Sequence, residues 1–191
     1  MKYREGQILH VYNQGNNRQK IFFKKINYIY FLKKVRKYIH PYCDILSYCL
    51  IPNQFNFLIY ANSFTVSKDE KNRYPLSEGL RILLSSYCKG INVQENRTGS
   101  LFTQNSHIKC LDTDPYSALA CFVYILQKPK KSGYVLNPAD WEFSAFKDYA
   151  GLRNGTLCNK IKTFNVLGID SGDIKLFSDS IIPNDLLKSI F

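Results

Sequence analysis

The sequence predicts an α+β sandwich, an antiparallel sheet with helices packed on one face. Two observations carry this. Residues 43–51 and 54–61 are short β-rich runs joined across Pro52–Asn53, which reads as a hairpin at the centre of a sheet. Residues 26–39 and 75–91 keep apolar groups at helical spacing, and they alternate with the strand-like runs along the chain.

The elements follow in order. "GQILHVYNQGNNRQ" (6–19) alternates and then breaks at Asn13–Asn17, a strand running into a turn rich in Gly and Asn. "INYIYFLKKVRKYI" (26–39) places Ile29, Leu32, Val35 and Ile39 on one stripe with Lys33, Lys34, Arg36 and Lys37 off it, and Pro41 ends this basic amphipathic helix. The hairpin comes next, then a polar stretch (62–74) that reads as a loop. A second helix opens with Pro75 and carries Glu78 in its first turn. "NVQENRTGSLFTQ" (92–104) is a turn-rich connection, and "SHIKCLD" (106–112) is a fourth strand. "DPYSALACFVYILQK" (114–128) is a third helix with Asp114 as N-cap and Pro115 at its first position. "KPKKSG" (128–133) reads as a basic turn, residues 137–156 as irregular, and a short helical region closes the chain. Strand, helix, strand, strand, helix, strand, helix is close to the ferredoxin-like βαββαβ plan.

The 191 residues suit one domain with a small appendage. Hydrophobic residues make up 45% and charged residues 21%, with 14 Tyr, 13 Phe and a single Trp, so the chain can bury enough surface to fold. The net charge is +11, from 26 Lys and Arg against 15 Asp and Glu. A basic, aromatic-rich chain points first to nucleic acid, because cations track phosphates while rings stack on unpaired bases. A surface charged for solubility and an anionic membrane surface are the competing readings of charge alone. The sequence contains no apolar run of membrane-spanning length and opens on no signal-peptide pattern, so a cytoplasmic location without membrane attachment is expected. Cys43, Cys49, Cys88, Cys110, Cys121 and Cys158 form no C-x-x-C pair and read as reduced, buried small hydrophobes.

Four polar residues stand out against this background. Gln54 and Asn56 are two apart in an apolar strand and therefore share a face. Tyr124 and Lys128 are four apart on the third helix and lie one turn from each other. Should that helix pack on that face, two amides, an ammonium and a phenol converge. The residues alone also allow a plainer arrangement, in which Tyr124 is a core residue with its hydroxyl at the rim and the amides bond each other or backbone.

Five ordered blocks carry a resemblance that covers residues 7–155: "HVYNQGNNRQKIFF" (10–23), "YCLIPNQFNFLIY" (48–60), "NRTGSLF" (96–102), "YILQKPKKSGYV" (124–135) and "DWEFSAFKDYAG" (140–151). Together they resemble the landmarks of REP-associated tyrosine transposases, a branch of the HUH single-strand transposases. The resemblance implies the same ferredoxin-like fold for residues 1–155, with 156–191 as a partly helical C-terminal extension. It also implies a mechanism. Family members read "MPNHFHLL" where this chain has "IPNQFNFL", and the two histidines hold a divalent metal, Mg or Mn. A helix tyrosine attacks a DNA phosphodiester to leave a 5′-phosphotyrosine and a free 3′-OH, and a polar residue one turn later completes the metal site.

Carried over by position, the resemblance makes Tyr124 the nucleophile. It puts Gln54 and Asn56 at the histidine positions and Lys128 at the third ligand. Amides are weak ligands and an ammonium repels a metal, so no cofactor is expected and any divalent metal would be weakly bound or absent. His10, His40 and His107 do not restore the pair, because none lies two residues from another ligand on that strand. Arg18, Lys20, Lys128, Lys130 and Lys131 are the expected DNA contacts, although a cationic helix C-terminus equally explains Lys130 and Lys131. Tyr87, on the preceding helix, reads as a core or base-stacking residue. The expected partner is single-stranded or hairpin DNA, bound by a monomer or homodimer with cleavage lost or impaired. The alternative is an active nickase using Tyr124, and a third reading is a basic interaction protein that binds no nucleic acid.

Overall fold

Alternation along three apolar strands sets the layers. Leu9 and Val11 of β1 (Ile8–Gln14), Tyr48 and Leu50 of β2 (Asp44–Ile51), and Phe55, Phe57 and Ile59 of β3 (Gln54–Tyr60) are all buried on one face. The computed structural model describes residues 2–104, 106–112 and 116–191. With β4 (His107–Cys110) the strands form an antiparallel sheet in the order β2-β3-β1-β4, the order of the ferredoxin-like plan. The hairpin therefore contributes one interior strand, β3, and one edge strand, β2, where the sequence reading placed both at the centre. The free edge of β2 is covered by a later segment. Leu50 N–H donates to the Phe143 carbonyl and Ala145 N–H to the Tyr48 carbonyl, each at 2.9 Å.

The Phe55 face is covered by α1 (Lys25–Tyr38) and α3 (Pro75–Gln94). In α1 the buried apolar residues are Tyr28, Phe31 and Val35, while Ile29 is 38% exposed. The stripe is rotated from the expected one because two rings bury more apolar area than one Ile, and they pack into Phe22 and Phe55. Gly79 lets α3 cross close to the end of α1, since a Cβ there would run into the Tyr38 carbonyl oxygen. Tyr87 is fully buried and its hydroxyl donates to the Ile21 carbonyl at 2.7 Å, so it is a core residue with no surface for stacking bases. Within the polar stretch 62–74, Asn62 accepts from the Phe64 and Thr65 N–H groups and starts a one-turn helix, α2 (Ser63–Val66).

The opposite face takes α4 (Ser117–Lys131), so helices cover both faces of the sheet, where the sequence reading expects them on one. Asp114 and Pro115, the expected start of this helix, lie outside the described residues. At the other end, Lys128–Lys131 are helical rather than a turn. Gly133, at φ +73°, supplies the left-handed residue that stops the helix, and the Gly133 and Tyr134 N–H groups donate to the Lys130 and Pro129 carbonyls. Pro129 lacks the N–H that would donate to the Ile125 carbonyl, and only the last two residues of the helix follow it.

The remaining helices, α5 (Phe146–Tyr149), α6 (Lys160–Leu167), α7 (Asp173–Phe177) and α8 (Asn184–Ser189), lie over β2 and α4. Asp148 anchors this region. Its buried carboxylate accepts from Arg153 Nε at 2.6 Å and Nη2 at 2.8 Å, and Arg153 also donates to the Glu142 and Ser144 carbonyls and to the Tyr48 hydroxyl. Among the described residues no helix is long and apolar enough to cross a membrane, and the six cysteines are all free thiols. Asp148→Ala leaves a half-buried guanidinium without its counter-charge. It should lower the unfolding free energy in a urea titration by about 2–4 kcal/mol, somewhat less than for a fully buried pair.

Candidate functional site

On the Asn56 face, register brings polar groups together from different strands. Tyr12 pairs with Asn56, Asn56 with Cys49, and Tyr12 with His107. Period two then puts His10 on this same face, one step along β1. The sheet thus presents His10, Tyr12, Cys49 and Asn56 beneath α4. Gln54, at the β2–β3 turn, is half-buried at the end of this row, while Asn56 is fully buried.

From above, α4 contributes Tyr124 and Lys128. Tyr124 is 8% exposed, and Lys128 Nζ donates to its hydroxyl oxygen at 2.6 Å while lying 4.9 Å from its ring centroid. Burial raises the Tyr124 phenol above its usual range, reinforced by the Cys121 and Cys49 thiols and by Tyr12. Burial also lowers the pKa of the Lys128 ammonium, and the Cys49 thiol works in the opposite direction. A phenol held protonated is a poor nucleophile, but one that accepts from an ammonium can still turn its own proton towards an incoming phosphate oxygen.

His10 is the residue that strand spacing alone missed. It is fully buried, with Nδ1 2.8 Å from the Ile190 carbonyl and Nε2 3.1 Å from the Asn56 side-chain amide oxygen as placed. Burial lowers its pKa and holds the ring neutral. A neutral ring has one N–H, and the Ile190 carbonyl can only accept, so that proton sits on Nδ1. Nε2 is then an acceptor, and the Asn56 amide must be turned to offer it Nδ2. The turn also gives a partner to the Asn56 Nδ2 group, which otherwise has none.

The C-terminal segment completes the site. α8 packs on α4, and the Phe191 ring, 44% exposed, stands edge-on to Tyr124 at 5.2 Å, Tyr12 at 5.3 Å and His10 at 5.5 Å. Gln127 Nε2, on the adjoining side of α4, donates to the Phe177 and Ser180 carbonyls and ties down the approach to α8. Nothing in the sequence marks residues 184–191 as neighbours of Tyr124; only the chain path does.

The expected cations are distributed unevenly. Lys130 is ion-paired with Asp179, whereas Lys131 is exposed beyond Lys128 on the last turn of α4. Arg18 and Lys20 are exposed at the Gln54 end of the sheet, on a turn held by Gly15 N–H to the Asn53 carbonyl and Ile21 N–H to the Pro52 carbonyl. Asn17 and Arg18 take left-handed backbone angles of φ 51° and 57°. Among the described residues no three His, Cys, Asp or Glu side chains are grouped as a metal site. Long-range ¹⁵N–¹H NMR at neutral pH should show His10 as the Nδ1–H tautomer, with an acceptor-type Nε2 shift; an Nε2–H signal would contradict the assignment.

Neither known protein families nor curated proteins give a match to this chain. Among solved structures, a REP-associated tyrosine transposase bound to a REP hairpin is similar over 80% of this chain and 85% of its own, with 16% identity and a TM-score of 0.57. At that identity the likeness is one of fold: the protein has the α+β fold of a tyrosine transposase.

Proposed function

We propose that the protein binds hairpin or single-stranded DNA and that its capacity to cut the strand through Tyr124 is lost or strongly impaired. Binding is supported by the fold shared with a transposase described in complex with a hairpin, and by the net charge of +11. The observation that carries the second half is the Lys128 ammonium on the Tyr124 hydroxyl at 2.6 Å, at the position where the resemblance puts a metal ligand.

The residues present do not fit a divalent metal. Gln54 and Asn56 supply only neutral amides, which are weak ligands for a divalent metal. Lys128 places positive charge where a ligand is needed. No step is therefore routed through a metal, and what remains is a phenol, an ammonium and nearby exposed lysines. That set can hold a phosphate by charge-assisted hydrogen bonds without breaking its ester. The second reading, an active nickase, is favoured by the retention of Tyr124 in contact with a cation that could steady the phosphate during attack.

Incubating the protein with labelled hairpin DNA and Mg²⁺ or Mn²⁺ should yield no covalent adduct. An adduct abolished by Tyr124→Phe would establish the nickase instead. The triple change Gln54→His, Asn56→His and Lys128→Asn should bring adduct formation back if these three positions account for the loss. Binding itself should weaken with salt: four phosphate contacts from Arg18, Lys20, Lys128 and Lys131 correspond to a slope of log affinity against log salt of roughly −3 to −4. Affinity that does not change with salt would leave the nucleic-acid reading without support.

A further inference from the structure

The segment 134–143 forms a surface for which the site around Tyr124 has no use. Phe22, Tyr28 and Phe143 stack in sequence, at centroid distances of 4.3 Å and 4.1 Å with planes within 19° and 12° of parallel. Trp141 stands edge-on to Tyr28 and Phe143, and Tyr134 faces Trp141 at 5.5 Å with their planes 34° apart. The inner end of this series is core, and the outer end is not. Tyr134 is 42% exposed, and Trp141 and Phe143 are only half-buried.

The open rings are held in place. Trp141 Nε1–H donates to the Leu50 carbonyl at 2.8 Å, next to Cys49 on the strand beneath Tyr124, and Tyr134 N–H donates to the Pro129 carbonyl at the end of α4. The ledge therefore starts just beyond the Lys128 end of α4 and passes along the β2 edge to the α1 side of the sheet. Its charge surroundings are mainly basic. Lys131 is exposed three residues before Tyr134, and exposed Lys25 lies three residues before Tyr28 on α1. Of the two nearby acids, Asp140 is exposed and Glu142 is ion-paired with Lys147 at 2.7 Å. Rigid aromatic faces beside lysines are the two components that hold unpaired bases and their phosphates.

We propose that Tyr134 and Trp141 form a stacking ledge for unpaired bases of a single strand running from a hairpin past the Lys128 end of α4. This rests on the DNA-binding reading above. Trp141 is the only Trp in the chain, so its fluorescence reports on the ledge alone. The experiment titrates the full chain with two dye-labelled hairpins, one blunt and one with a single-stranded thymidine flank, and follows Trp141 emission together with dye anisotropy. The flanked hairpin should bind more tightly and quench Trp141, and the blunt one should leave the emission unchanged. Tyr134→Ala should weaken binding of the flanked hairpin by roughly 5- to 100-fold, and Tyr134→Phe, which keeps the ring, should restore it. If both hairpins bind equally with Trp141 emission unchanged and Tyr134→Ala neutral, the ledge is overturned while DNA binding stands. If neither hairpin binds at low salt, the DNA-binding reading falls and the ledge falls with it.

Discussion

Strand β3 is interior in the sheet and covered by helices on both faces, so none of its central side chains can be satisfied by water. That constraint organises the rest of the molecule. On one side Phe55, Phe57 and Ile59 call for an apolar cover, which the aromatic residues of α1 and the Tyr87 region of α3 supply. On the other side Asn56 brings a buried amide under α4, and a buried amide without partners costs on the order of 1–3 kcal/mol. His10, from the neighbouring strand, supplies the partner, and the Ile190 carbonyl supplies the partner for His10. A polar residue in the middle of the sheet is thus tied through a histidine to the last turn of the chain.

This chain of bonds gives the candidate site its character. At two of the positions where the family resemblance implies metal ligands, neighbours engage the side chains instead: the His10 imidazole engages the Asn56 amide, and the Tyr124 phenol engages the Lys128 ammonium. Each contact favours the closed, protein-satisfied arrangement over one with groups free to reach a substrate. Tyr124 has Lys128 on its hydroxyl and Phe191 against its ring. Burial holds the phenol protonated, and the Lys128 ammonium occupies its oxygen.

Several elements were legible because local patterning and tertiary packing agree. The hairpin, the order of strands and helices, Pro75 and Glu78 at the start of α3, and the shared face of Gln54 and Asn56 all follow from period and turn chemistry. Others were misread where a local signal met a stronger tertiary one. Ile29 fits the helical stripe, but Tyr28 and Phe31 bury larger surfaces and rotate the helix. "KPKKSG" has turn composition, yet the left-handed Gly133 lies beyond three lysines, so the helix runs on to Lys131.

Taken alone, the sequence determined which side chains lie on the same face within one strand or one helix, because the periods 2 and 3.6 are properties of the backbone. It therefore determined the Gln54–Asn56 and Tyr124–Lys128 pairings and the basic, aromatic character of the surface. Only the tertiary structure decided that α4 packs over the Asn56 face, that His10 joins Asn56 across strand register, that Phe191 covers Tyr124, and that Tyr134 and Trp141 form one ledge. Apart from the ledge, those contacts join residues far apart in sequence. Their geometry is set by sheet order and by the path of the last 36 residues, neither of which any local period encodes.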